Sequence, residues 1–264
     1  MAESSLSITR TLLLRYIGRF LGISRDSGDW SSTQDDDVND VISSGLRGFY
    51  NPMVLPGERT GHVWSFLSPV LEIPIVANVS DYDLPDDFSY FIGNQLTFAS
   101  TDTEWCPVRL TGIGRLLERR QSEAYTGDLG PMWAAVNVLP NTGATIGHRS
   151  SLMLSPAPST AGTLNGQYYS NPYNMSASAI YPMGGQPHSE TLLESCLASA
   201  ELLMNDTAGP HTAKFMECLK SSIALDRSHS GPKFFGYNGD GSTGGNIGGR
   251  GDRVYRVGPE VSIS

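Results

Sequence analysis

Five histidines, three cysteines and two clusters of aspartate are the side chains in this 264-residue chain best equipped to move protons, hold a metal or act as nucleophiles. Their spacing does not gather them. His188-Ser189-Glu190 has the form of a fragment of a zinc-site pattern, but the paired cysteines that complete such a site do not follow it. His188 and His211 each stand at an expected helix start, where capping or an exposed position accounts for them. His62, His148 and His229 have no acidic or cysteine neighbour at ligand spacing. Cys196 and Cys218 fall on apolar helical positions as reduced thiols, and with Cys106 they make no disulfide framework.

The densest carboxylate run is Asp35-Asp36-Asp37, with Asp40 behind it. Oxygen-rich clusters suit calcium or magnesium, but negative charge at the positive end of a helix dipole is the simpler reading. Asp81, Asp83, Asp86 and Asp87, gathered around Pro85, read as turn chemistry. The glycine pattern of residues 239–251 contains no GxxxxGKS/T phosphate loop and follows no buried strand, and no G-x-S-x-G nucleophile elbow occurs. The expectation is a protein that is not an enzyme, with no catalytic, cofactor-binding or metal residues and no cofactor.

The elements that position these groups change period along the chain. Ile8, Leu12, Leu13, Tyr16, Ile17, Phe20 and Leu21 fall on one stripe of a helix over 6–22 that Gly22 stops. Thr33 and Asp36 make a capping-box-like start for a second helix, whose apolar face is Val38, Val41, Ile42, Leu46 and Phe49 and which ends at Asn51-Pro52. Gly45 and Gly48 inside it each cost roughly 1 kcal/mol relative to Ala, which close approach of another backbone or loose packing explains. Short β-favouring runs follow at His62–Leu67, Leu71–Val79, Tyr90–Phe98, Met132–Leu139 and Leu152–Leu154, between clusters of Pro, Gly, Asn and Asp, a pattern that suggests a sandwich or a small barrel. Residues 114–123 read as a short helix, with a strand as the alternative. Helical periodicity returns with Leu192, Leu193, Cys196, Leu197, Ala200, Leu203 and Met204, and again with Phe215, Met216, Leu219 and Ile223.

The expected fold class is therefore α+β: a four-helix bundle made of two terminal helical hairpins, with an inserted β-sandwich-like region and an extended C-terminal arm. The expected division is 1–55 for the first hairpin, 56–182 for the β-rich insert, 183–227 for the second hairpin and 228–264 for the arm. The arm holds ten glycines together with Lys233, Phe234, Phe235, Tyr237, Arg250, Arg253, Tyr255 and Arg256. So much glycine costs too much backbone entropy for independent folding, and aromatics are poor choices for a mere spacer. These eight residues are the candidate contacts of an arm that orders on a partner.

Charge narrows the partner classes. The net charge is −9, but residues 228–264 hold four Lys/Arg against three Asp/Glu, which leaves the arm at +1 and the body at −10. An acidic body argues against tight nucleic-acid binding, since phosphate neutralisation needs clustered cations. It suits a surface that DNA passes without sticking. The first 22 residues lack a basic n-region and a small-residue cleavage site, and Arg10, Arg15 and Arg19 interrupt their apolar run, so neither a signal peptide nor a membrane span is expected there.

The order of several phrases carries a resemblance: DDDVNDVISSGLRGFYNP (35–52), WSFL (64–67), YDLPDDF (82–88), LTF (96–98), LMLSPAPS (152–159), YYSNPYNMS (168–176), GGQPHSETLLESCLASAELLMND (184–206) and GPHTAKFMECLKSSIALD (209–226). Over about residues 6–227 the chain resembles the head-to-tail adaptor, or neck, proteins of tailed bacteriophages, including the tail-tubular adaptors of short-tailed phages. The resemblance implies a structural virion protein at the head–tail junction, assembled in the host cytoplasm as a homo-oligomeric ring, usually of twelve copies, under the portal protein. Such a ring extends the DNA channel and presents a platform to the next neck, nozzle or tail protein. In relatives the C-terminal arm embraces the portal, a role that maps here to the arm residues above. This chain departs from the shorter adaptors in a longer β insert and a glycine-rich arm.

Three other readings stand beside it. A nozzle or tail-completion component would lack direct portal contact. A monomeric hydrolase or carbohydrate-binding β protein would need a pocket of convergent polar groups. A metal-dependent structural protein would use Asp35–Asp37.

Overall fold

The structure, a computed structural model, describes residues 3–56, 60–99, 107–122, 130–140, 147 and 149–230. The first helix, α1 (Arg10–Phe20), begins where the Thr9 side chain accepts the Leu12 N–H and buries Leu13, Leu14, Ile17 and Gly18. Gly22 follows it at φ +73°, a left-handed geometry that favours glycine and turns the chain out of the helix. Helix α2 (Ser32–Tyr50) starts two residues earlier than its sequence suggests. Ser31 and Gln34 form a reciprocal capping box, and the Gln34 side chain satisfies the Ser31 N–H at 3.0 Å.

Beyond α2 come β1 (Val70–Ile75), β2 (Asp81–Asp83), β3 (Phe88–Phe91), β4 (Gln95–Phe98), β5 (Val108–Leu110), α3 (Ile113–Ser122), β6 (Trp133–Leu139), β7 (Arg149–Ser155) and β8 (Gly162–Ser170). Helices α4 (Ser189–Asn205) and α5 (Pro210–Ser230) complete the described chain.

The fold remains α+β, but it is not a four-helix bundle carrying an inserted sandwich. All eight strands belong to one sheet of order β1-β8-β4-β5-β6-β7-β2, with β3 paired to β8. A sandwich needs two sheets facing each other. Here residues near both ends of a single sheet reach one apolar core: Ile73 and Ile75 from β1, Leu84 just after β2, and Leu96, Leu152, Leu154 and Leu164 between them. The sheet curls into a near-barrel around that core. Strands β5 and β6 run parallel, which requires a crossover, and α3 supplies it while packing on β6 and β7.

The helical part departs from the expected bundle in a similar way. A four-helix bundle turns one face of every helix to solvent, whereas α4 buries Thr191, Leu192, Glu194, Ser195, Cys196, Leu197, Ala198, Ala200 and Glu201 around most of its circumference. It is the hub against which α1, α2 and α5 pack. Gly45 makes this possible on α2, because a Cβ there would lie 2.6 Å from Cys196 Cα and 2.8 Å from its nitrogen. The Ser195 hydroxyl then donates to Gly45 O at 2.7 Å. Close backbone approach is thus the reason for Gly45. Leu203 and Met204, expected on the apolar stripe of α4, are exposed instead.

Candidate functional site

The last described turns of α5 are where the chain leaves for its C-terminal segment, and they are pinned by one carboxylate. Asp226 is buried. It accepts from the Ser65 N–H at 3.1 Å and from the Ser65 hydroxyl, and pairs with His62 Nε2 at 2.8 Å. The segment supplying these partners was expected to be a strand. It is a 3-10 turn, Ser65–Leu67, because Trp64 and Leu67 both enter the helical core. Trp64 packs in a tilted pair with Phe49, ring centroids 4.8 Å apart, and donates its indole N–H to Phe49 O at 2.9 Å, which fixes the turn beneath α5.

His188 packs into the same region, 5.1 Å from Trp64 and 5.3 Å from Phe66 between ring centroids. It is buried, not exposed, and its Nδ1 has no hydrogen-bond partner among the described residues. Burial pushes the His188 imidazole below its ordinary value, against the opposing pull of Asp226. Burial raises the Asp226 carboxyl, but the hydrogen bonds from Ser65 and His62 outweigh it and hold the group below the usual carboxylate range.

A serine, a histidine and an aspartate in contact invite comparison with a nucleophilic triad. Here the order is wrong: aspartate lies between the other two, and the Ser65 hydroxyl donates to Asp226. In a triad the imidazole must receive the hydroxyl proton. The arrangement clamps α5 to the turn and does not activate oxygen.

A second carboxylate organises the other end of α5. Glu201 accepts from the N–H groups of Gly209 at 3.0 Å, His211 at 3.4 Å and Thr212 at 3.0 Å, and from the Thr212 hydroxyl at 3.0 Å. These are donors that a helix start leaves unpaired. Burial pulls the Glu201 carboxyl up, yet the hydrogen bonds prevail and lower it. Two turns back along α4, buried Glu194 meets His211 Nδ1 at 2.9 Å and Lys214 Nζ at 2.7 Å. Hydrogen bonds to Glu190 and Glu194 raise the Lys214 ammonium. Asp226 and Glu201 thus fix both ends of α5.

A cavity of about 350 Å³ lies between α2 and the segment after β8, lined among others by Arg47, Tyr50, Asn51, Asn171 and Tyr173. The Tyr50 hydroxyl is occupied by the Met183 backbone, accepting its N–H at 2.8 Å and donating to its carbonyl at 3.3 Å. Burial, partly offset by that carbonyl, raises the phenol well above its ordinary value. A second cluster sits at the sheet edge, where Arg120 donates to Leu154 O at 2.9 Å and to Asp81 at 2.8 Å, and Arg119 lies 4.2 Å above the Trp133 ring.

The arm residues Lys233, Phe234, Phe235, Tyr237, Arg250, Arg253, Tyr255 and Arg256 lie outside the described residues, as do His148 and Cys106. Asp36 and Asp37 are exposed on the first turns of α2. Among the described residues, no three His, Cys, Asp or Glu side chains converge as a metal would require, and no helix is long and apolar enough to cross a membrane. Burial pushes the Cys196 thiol up to about 12. The pairing of His62 with Asp226 was invisible to a search by local spacing, because 164 positions separate the two.

The family model described as SU10 adaptor protein matches residues 9–233, from the N-cap of α1 to just past the end of α5. No curated protein matches the chain.

Proposed function

This chain belongs to the SU10 adaptor protein family, and we propose that it forms a ring that joins the portal to the rest of the tail and extends the DNA channel between them. A bacteriophage adaptor of this family is a structural protein of the virion, placed at the head–tail junction and associated with portal and tail proteins. Ring formation, a copy number of twelve, passage of DNA through the lumen and the grip of the arm on the portal are the finer parts of the proposal.

The family match carries the adaptor reading. The clamped end of α5 supports the role given to the arm. A segment that must draw binding energy from a partner works best from a fixed point, because a rigid anchor lowers the conformational entropy lost on docking. Asp226, Ser65 and His62 supply that anchor four residues before residue 230. The Phe, Tyr and Arg side chains beyond it are residue types that dominate interface hot spots. A body of net charge −10 fits a channel wall that does not trap DNA. The protein is accordingly proposed to be non-enzymatic and to need no cofactor.

The test is native mass of the full-length chain and of a chain ending at Ser230, each alone and mixed with purified portal rings. The expected result is binding in ring stoichiometry by the full chain and none by the shortened one. Equal binding by both would remove the arm from the portal contact, and binding by neither would favour a position further down the tail.

A further inference from the structure

We infer that the outward face of α1 is the docking surface for the outward face of α2 in a second copy of this chain, an inference that rests on the ring reading and assigns its lateral contact. Arg15 and Arg19 are exposed, stand one helical turn apart and make no ion pair among the described residues; α1 contains no acidic residue. Exposed Tyr16 sits beside them. On α2, Asp36 and Asp40 are likewise exposed and one turn apart, with Asp37 alongside, and none of the three carboxylates is paired among the described residues. Two stripes of opposite sign therefore share the same spacing, about 6 Å between successive charges on a helix.

One copy does not satisfy its own stripes. The contact between α1 and α2 inside a protomer is made elsewhere, by Arg10 donating to Asn39 at 2.7 Å. The carboxylates of the intervening loop are also committed, Asp26 to the Gly28 N–H at 3.0 Å and Asp29 to the Ser24 hydroxyl at 3.2 Å. Two different patches that complement each other make a heterologous contact, the kind that closes into rings. Exposed ion pairs contribute little affinity, so these stripes set register and partner orientation while apolar neighbours supply the rest.

The test uses the full chain as wild type, as R15E/R19E, as D36R/D40R, and as an equimolar mixture of the two variants, with native mass measured alone and on portal rings. All four positions are exposed; R15E/R19E should melt close to wild type, whereas D36R/D40R gives up favourable charge near the start of α2 and should melt a few degrees lower while staying folded. Each variant alone carries two faces of one sign and should need roughly tenfold more protein to assemble. The mixture should recover wild-type assembly as alternating copies, since every contact then pairs opposite signs. Assembly of either variant at wild-type concentration, or no rescue by the mixture of folded variants, overturns the inference while a wild-type ring still stands. A wild type that stays monomeric both alone and on portal overturns the ring reading and this contact with it.

Discussion

Asp226 satisfies a backbone N–H, a hydroxyl and an imidazole from a turn that lies far from it in sequence. Asp226→Ala leaves those groups facing a gap, and loss of a buried charged partner costs on the order of 3 kcal/mol. The melting temperature should fall by several degrees, read by thermal unfolding. Acid should act on the same region in two steps. The unfolded chain protonates His188 near the ordinary value of 6.5, whereas burial holds the folded imidazole lower, so stability falls as pH drops below about 6.5. Asp226 adds a later loss: its folded carboxyl lies below 3.8, so its contribution is full above that value and disappears as pH falls through the folded pKa. His188→Phe keeps a ring among Phe49, Trp64 and Phe66 but cannot charge. Its melting temperature should change less between pH 7 and pH 5 than that of the wild type; an unchanged slope would assign the acid sensitivity elsewhere.

At the scale of elements, two glycines on α2 separate packing from propensity. Gly45→Ala drives a Cβ into the backbone of Cys196, and overpacking of this kind costs about 1–3 kcal/mol. Gly48 meets only Ser195 Oγ, at 3.4 Å, so Gly48→Ala should hold or raise stability by up to about 1 kcal/mol through helix propensity. Thermal melts of the two variants should therefore move in different directions. Gly45 was legible from sequence as a costly residue needing a reason, and α1, α2, α4 and α5 were legible from their 3.6-residue stripes. Strand β8 was not, although it pairs with β1, β3 and β4. Asn165 and Gly166 interrupt its alternation, and Gly166 is there because a Cβ would sit 2.5 Å from Leu96 Cδ2. The residue that packing demands is the one that hides the strand. The arm root was hidden for a different reason, since His62 and Asp226 meet only after α5 has folded onto the turn at Ser65–Leu67.

At the scale of the whole molecule, two apolar cores lie under a surface whose net charge is strongly negative. One core is gathered around α4 and the other is enclosed by the curled sheet. Among the described residues, the two cores are built from side chains between Ile8 and Ile223. On the role proposed for the arm, the chain ending at Ser230 should melt within about 2 °C of the full chain while losing portal binding. A large fall in its melting temperature would mean that the arm belongs to the fold and not to the partner. The measurement that bears most directly on the adaptor account is an electron cryo-microscopy reconstruction of the virion neck. The account expects twelve copies of this chain in one ring directly beneath the portal, with residues 231–264 of each copy against the portal surface. A ring of this chain separated from the portal by another protein, or no such ring at the junction, would contradict it.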